Sequence, residues 1–420
     1  MFNFFSDKFE TKENYVLALD IGTSIVKALI LKIDENNPAK GSIIGVGRKE
    51  QKLGEMHCGV VTDIYGVIQN CNIAIKEAEK MANVRTSKII IGIAGELVKG
   101  ITSKASYTRE IPEDKITIDE LKTVMHKIQW KTFDTVRSQL ARETGYHEID
   151  VKLINSSIVN VSIDGYKISN PIGFQGKEIS VDIFNVFAPL THYGALQTIA
   201  AELNKTLLTI AAEPYAVAKC IDYEESGNMG GIFIDIGGGT TDIAIIQDGT
   251  LIGTKMFTLG GKTFTKRLAQ NLNISFLEAE SIKLSYSNNI LEKHSAKIVA
   301  EAMSNDSEVW LTGVILTLSE FENIEIFPSR ILLCGGGSKL PEIKNILENS
   351  NFHKKLAFAR KPQISFLEPK HITRVIDETG LLKSQQDVTP LALANLAIEI
   401  NSSEKILSKI LKKVVSLMQA

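Results

Sequence analysis

The sequence predicts an α/β fold of two duplicated lobes, with a small α+β insertion in the first lobe. Three observations predict it. Residues 15–33 read YVLALDIGTSIVKALILKI: a β-rich run, an Asp, a Gly-Thr-Ser turn and a second β-rich run. About 215 residues later, residues 231–248 read GIFIDIGGGTTDIAIIQD, the same strand, Asp-x-Gly turn and strand, and such self-similarity is the mark of an internal repeat. The third is residues 329–346, SRILLCGGGSKLPEIKNI, a buried strand, three glycines and a helical pattern with Pro341 near its start. Between the repeats, residues 103–175 are richer in polar and charged side chains. They hold one long amphipathic helix pattern over 118–142 and strand-like stretches near 151–160 and 165–169, the makings of a separate subdomain.

These elements divide the chain as follows. Residues 1–14 form a tail, 15–101 and 186–228 the first lobe, and 102–185 the insertion. Residues 229–253 and 330–400 form the core of the second lobe, 254–329 its small subdomain, and 401–420 a terminal amphipathic helix.

Length and composition agree. A chain of 420 residues exceeds what one ordinary core holds. Its 44% hydrophobic and 23% charged residues are the balance of a globular protein in water. A net charge of −2 and the lack of a long Lys/Arg block argue against nucleic acid as a partner. The longest apolar runs fall far short of the roughly 20 residues a bilayer span needs. The opening MFNFFSDKFE has acids early and no apolar segment of a cleaved signal. Cys58, Cys71, Cys220 and Cys334 are scattered, with no CxxC, and read as reduced thiols of a cytoplasmic protein.

The two hairpins carry the candidate chemistry. A phosphate chain needs backbone N–H groups at close range, which glycine and small residues permit. Gly22, Thr23 and Ser24 supply them in one turn, and Gly237, Gly238, Gly239, Thr240 and Thr241 in the other. Each hairpin also ends a buried strand on a carboxylate, Asp20 or Asp235. A lone buried carboxylate is costly, so Mg²⁺, held directly or through water, is the expected partner. Asp242 either contacts metal-bound water or caps its turn. Lys27 is either in reach of a β- or γ-phosphate or solvated on its strand. Gly335, Gly336, Gly337 and Ser338 form a turn on which an adenine and ribose can lie. The run is not GxGxxG, and no GxxxxGK[ST] occurs, which excludes Rossmann and P-loop readings.

This set resembles the phosphate-one, phosphate-two and adenosine motifs of the actin, heat-shock chaperone and sugar-kinase superfamily. The resemblance implies an actin-like (ribonuclease-H-like) fold with ATP or ADP and Mg²⁺ in the cleft between the lobes. Residues 211–218, AAEPYAVA, resemble the helix crossing between lobes, which makes Glu213 the candidate for positioning the attacking water. The alternative is an ordinary first-turn Glu ahead of Pro214. Residues 278–283, EAESIK, are similar to the AExIK segment on the ribose side, so Glu280 and Lys283 carry over. Within the superfamily, residues 59–100, the NPIGFQGKEISV of 170–181 and the placement of the insertion resemble FtsA, the actin homologue of bacterial division. That implies self-assembly into filaments, and docking of the FtsZ C-terminal peptide on the small subdomain. It also implies a peripheral location on the inner face of the cell membrane at the division site. Turnover is expected to be that of a slow ATPase at most.

The C-terminal segment adds a physical argument. On a helical wheel Ile406, Leu407, Ile410, Leu411, Val414, Leu417 and Met418 share one half, with Lys409, Lys412 and Lys413 on the other. A basic amphipathic helix reads as an anchor on an anionic membrane surface, or else as a terminal helix docked on the body. Half-burying the apolar face contributes about 8 kcal/mol and each lysine near anionic lipid adds ~1 kcal/mol, which together nearly cancel the roughly 1 kcal/mol or slightly more per residue of ordering about 15 residues. One copy then binds weakly, and many copies on a filament bind well. Phe2, Phe4 and Phe5 offer a second apolar end. Two other functions use the same fold: a PilM-like scaffold of pilus assembly, and a small-molecule kinase, for which the sequence shows no substrate-side catalytic Asp.

Overall fold

The computed structural model describes residues 14–95, 98–144, 151–221, 230–321, 324–402 and 411. The chain begins with β1 (Tyr15–Ile21), β2 (Ile25–Ile33), β3 (Gly41–Glu50) and the two-residue strands β4 (Met56–His57) and β5 (Val60–Val61). Then come α1 (Ile64–Ala82), β6 (Lys88–Ile93), β7 (Lys99–Thr108), α2 (Ile118–Thr144), β8 (Val151–Ile163), β9 (Tyr166–Lys167) and β10 (Glu178–Pro189). The middle holds α3 (Leu190–Glu202), β11 (Thr206–Ala212), α4 (Glu213–Lys219), β12 (Gly231–Ile236), β13 (Thr241–Gln247) and β14 (Thr250–Phe257). Three helices follow, α5 (Gly261–Leu272), α6 (Phe276–Ser287) and α7 (Lys293–Ser319). The last elements are β15 (Arg330–Cys334), α8 (Pro341–Asn349), β16 (Gln363–Phe366), β17 (Val375–Asp377) and α9 (Val388–Ser402).

The repeat read from the two hairpins is a repeat of sheets. One sheet runs β11-β6-β1-β2-β3 and the other β16-β15-β12-β13-β14, in the same order. In each, the hairpin is antiparallel and its first strand pairs in parallel with the next strand inward, β1 with β6 and β12 with β15. All seven residues of β1 and all six of β12 are buried, which is why both read as unbroken apolar runs rather than alternating ones. The helices have local start and stop signals. Asp63 caps α1 by accepting from the Tyr65 and Gly66 amides, and Asn83 ends it in the left-handed region. Ser275 and Glu278 close a capping box on α6.

Two placements depart from the sequence pattern. The insertion (β7, β10, β8, β9 and α2) is not a free-standing lobe. Its sheet continues the second lobe's sheet, because β14 pairs with β7 at Gly253–Ile101 and Thr254–Gly100. A Cβ on Gly100 would lie 2.0 Å from Thr254 Oγ1 and 2.6 Å from Phe184 Cζ, so the seam requires glycine there. The chain after β16 crosses back, although its position in sequence groups it with the second lobe. Strand β17 pairs with β3, and α9 packs on β1, β2, β6 and α4 of the first lobe. Helix α9 is buried almost all round, and its apolar composition follows from lying between layers. The first-lobe core runs on through α4 and α9 to Phe233, Ala244 and Cys334 of the second sheet.

Among the described residues no helix is long and apolar enough to cross a membrane. Cys71, Cys220 and Cys334 are buried free thiols, and Cys58 is half-buried. Of the residues expected on the two faces of the terminal amphipathic helix, Leu411 alone is described. It is 2% exposed within the insertion's apolar cluster, where a lipid-facing residue would not be. Ile406, Leu407, Lys409, Ile410, Lys412, Lys413, Val414, Leu417 and Met418 lie outside the described residues, as do Phe2, Phe4 and Phe5.

Candidate functional site

The duplicated hairpins place their turns face to face. Strand β1 ends at Asp20 and Ile21, and β12 at Asp235 and Ile236, so each sheet delivers one carboxylate to the gap between lobes. The cavity there is about 110 Å³. Asp20, Gly22, Thr23, Ser24, Lys27 and Glu213 wall it from one side, and Asp235, Gly237, Gly238, Thr240, Asp242, Gly335 and Gly336 from the other. Of the residues singled out in the sequence, Gly239, Thr241, Gly337 and Ser338 stand just behind this wall. Thr241 accepts from Trp310 Nε1 at 3.0 Å and donates to Leu259 O, and Ser338 donates to Gly335 O at 2.7 Å.

Gly335 has φ of 81°, and a Cβ on it would lie 2.1 Å from Asp235 Oδ1. The first of the three glycines is thus fixed by backbone conformation and by closeness to the carboxylate. Glu280 and Lys283 are not on the cavity wall. Lys283 Nζ donates to Gly261 O at 3.0 Å, to Thr265 Oγ1 at 2.7 Å and to Glu280 at 2.8 Å. The cluster pins the start of α5, whose Gly261 amide donates to Gly237 O at 2.9 Å, so it supports the second turn from behind.

The electrostatics are those of crowded acids with one cation. Lys27 Nζ donates to Asp20 Oδ2 at 2.9 Å. Burial opposes its charge most strongly, but Asp20, Asp235 and Asp387 outweigh this and hold the ammonium above its ordinary value. Of the two readings left open for Lys27, the solvated strand position does not hold. Burial and then the Asp235 charge push the Asp242 carboxyl up to about 7, while Thr240 Oγ1, donating at 3.0 Å, opposes the shift. Asp235 is raised by burial, against the Thr389 hydroxyl and Lys27. Glu213 opens α4 just before Pro214. Burial, then Asp20, Asp242 and Asp235, raise it well above an ordinary carboxylate, while Lys27 opposes the shift. Among the described residues no three acidic, histidine or cysteine side chains converge closely enough to ligate one ion directly.

Gly59 and Ala94, within the segment 59–100, also line the wall without having been singled out, and Gln386 and Thr389 carried no sequence signal. Thr389 donates to Asp235 Oδ2 from the first turn of α9. Its segment is held by Asp387, which accepts from Arg48 Nη2 at 2.8 Å and from the Lys383 and Ser384 amides. The turns also touch across the gap, where Lys262 Nζ donates to Thr23 O at 2.9 Å. No motif joins these positions, and only the return of the chain to the first sheet brings Gln386 and Thr389 to the cavity.

Comparison with known proteins agrees with this architecture. The family profile described as cell division protein FtsA matches residues 232–377. The cell division protein FtsA of Neisseria meningitidis serogroup B is 26% identical over 278 residues, 66% of this chain and 62% of that one. FtsA of Bacillus subtilis is 23% identical over 387 residues, 86% of this chain and 82% of that one. Among solved structures, the PilM-PilN type IV pilus biogenesis complex superposes with a TM-score of 0.64 at 18% identity. It covers 91% of this chain and 98% of that one, and shows the shared fold. Duplicated sheets, facing Asp-x-Gly turns and these matches together make the chain similar, in fold and along most of its sequence, to the cell division protein FtsA.

Proposed function

We propose that the chain binds ATP between its lobes and, in that state, assembles into filaments at the inner face of the cell membrane, linking an FtsZ-type division ring to it. The observation that supports this best is the single cavity walled by both Asp-x-Gly turns and by Gly335–Gly336. The turn amides suit a phosphate chain, and the Gly335 turn suits the nucleoside. Asp20, Asp235 and Asp242 would hold Mg²⁺ through water, and the bound ion would supply charge neutralisation of the phosphates. Lys27 fixes Asp20, Thr389 fixes Asp235, and Thr240 fixes Asp242, so each carboxylate is oriented before a ligand arrives. Small-ligand sites usually enclose about 300–1,000 Å³. The gap of about 110 Å³ is smaller, so on this reading nucleotide entry requires the lobes to part and the Lys262–Thr23 contact to break.

The likeness to PilM favours a second reading, a scaffold that binds a partner of a pilus complex without polymerising. Electron microscopy of the purified chain on anionic lipid monolayers with ATP separates the two. Filaments that need both ATP and lipid support the first reading; a monodisperse protein under all conditions refutes it.

A further inference from the structure

A second cavity, of about 520 Å³, lies at the end of the second sheet remote from the cleft. It is walled by the starts of β12, β15 and β16 and by the β13–β14 turn. Along β12, Gly231 at this end is about 13 Å from Asp235, at the usual strand rise, so this space is separate from the cleft. Arg330 and Arg360 both face it. Among the described residues neither guanidinium has a carboxylate or hydrogen-bond partner, whereas Arg48, Arg109 and Arg267 each have a carboxylate. Arg330 is half-buried and Arg360 exposed; half-burying the Arg330 guanidinium without a partner is unfavourable, and the planar fork of each arginine matches a phosphate or carboxylate.

The chain on either side of Arg360 is basic as well. Residues 349–367 contain His353, Lys354, Lys355, Arg360 and Lys361 and no Asp or Glu. The rest of the wall is mainly polar, with Gln247, Gln363 and Ser365 as further donors. One carboxylate, Asp248, held at φ of 51° in the turn, faces the same space. It would repel a ligand that is anionic throughout and accept a hydrogen bond from a hydroxyl or amine.

We propose that this cavity binds a small organic anion bearing at least two phosphate or carboxylate groups and one hydrogen-bond donor. The arginine forks hold the acid groups, and Asp248 takes the donor. Citrate, which has three carboxylates and a hydroxyl, is the probe that fits, and pyrophosphate is the donor-poor comparison. The proposal is independent of the nucleotide reading, since it uses none of the cleft residues.

Calorimetric titration of the full chain at low salt, without Mg²⁺, tests it. Citrate should bind with a dissociation constant of about 1 mM or tighter. Arg330→Gln and Arg360→Gln should each weaken it by about tenfold or more. Arg330→Lys should fall between, keeping charge and losing the fork. Asp248→Asn should improve pyrophosphate relative to citrate. Unchanged urea midpoints in all four variants would establish that the losses are local. Absence of citrate binding, or citrate binding that survives the double Arg330→Gln/Arg360→Gln change, overturns the proposal. So does a hexaglutamate peptide that binds through the same arginines more tightly than citrate, because the cavity would then be a docking site for an acidic protein segment.

Discussion

Replacing Asp242 with Asn should stabilise the nucleotide-free protein above neutral pH while weakening its ligand binding. Asp242 is 6% exposed, and its carboxyl is raised from 3.8 to about 7 by burial and by Asp235. The folded state therefore holds a proton that the unfolded state has released anywhere between those two values. Stability falls as pH rises through that window, by about 1.4 kcal/mol per pH step, or about 4 kcal/mol in all. Between pH 5 and pH 8 the wild type should lose about 3 kcal/mol from this residue alone. Asp235 and Glu213, both raised, act in the same direction. Asn cannot ionise and can still accept from Thr240 Oγ1, so the gain of Asp242→Asn over wild type should be about 3 kcal/mol larger at pH 8 than at pH 5. Urea denaturation in EDTA at the two pH values measures both quantities. A wild-type stability that is flat or rising over this range, or a variant destabilised equally at both pH values, would refute the reasoning.

Other perturbations probe the same architecture. Gly335→Ala places a Cβ 2.1 Å from Asp235 Oδ1 at φ of 81° and should cost about 2–3 kcal/mol, read as a lower denaturation midpoint. Thr389→Val removes the hydroxyl that donates to Asp235 and should weaken nucleotide binding by about tenfold, with a stability loss of about 1–3 kcal/mol. Lys262→Met breaks the contact to Thr23 O that closes the gap, and stopped-flow mixing should show nucleotide entry faster by about fivefold, the worth of about 1 kcal/mol. Gly100→Val collides with Thr254 and Phe184 at the seam between insertion and second lobe and should cost about 1–3 kcal/mol in thermal unfolding.

What was legible in the sequence is local. Asp20 and Asp235 stood out because a buried strand, a carboxylate and small turn residues are consecutive, and the structure faces the two turns across one cavity. Helix α2 was legible from its period, expected over 118–142 and observed as Ile118–Thr144. What was not legible depends on contacts distant in the chain. Thr389 meets Asp235 across 154 positions, and Lys262 meets Thr23 across 239, with nothing in either flank to announce it. The β7–β14 seam rests on a short stretch of pairing whose only trace is the glycine at 100. Glu280 and Lys283 show the limit of carrying a motif over. Their spacing on α6 is that of the ribose-side segment, yet here they are bonded to each other, and Lys283 donates to Gly261 O. Leu411 illustrates another limit, because an apolar helical face has the same pattern whether it meets lipid or protein.

The account's central claim is that ATP sits between the lobes on the two facing turns. Equilibrium titration of a fluorescent ATP analogue with Mg²⁺ into wild type and the charge-removing Asp235→Asn variant tests it most directly. Saturable one-to-one binding by wild type, displaced by unlabelled ATP and weakened about tenfold or more in the variant, is the predicted result. No saturable binding by wild type, or equal binding by the two proteins, would contradict it.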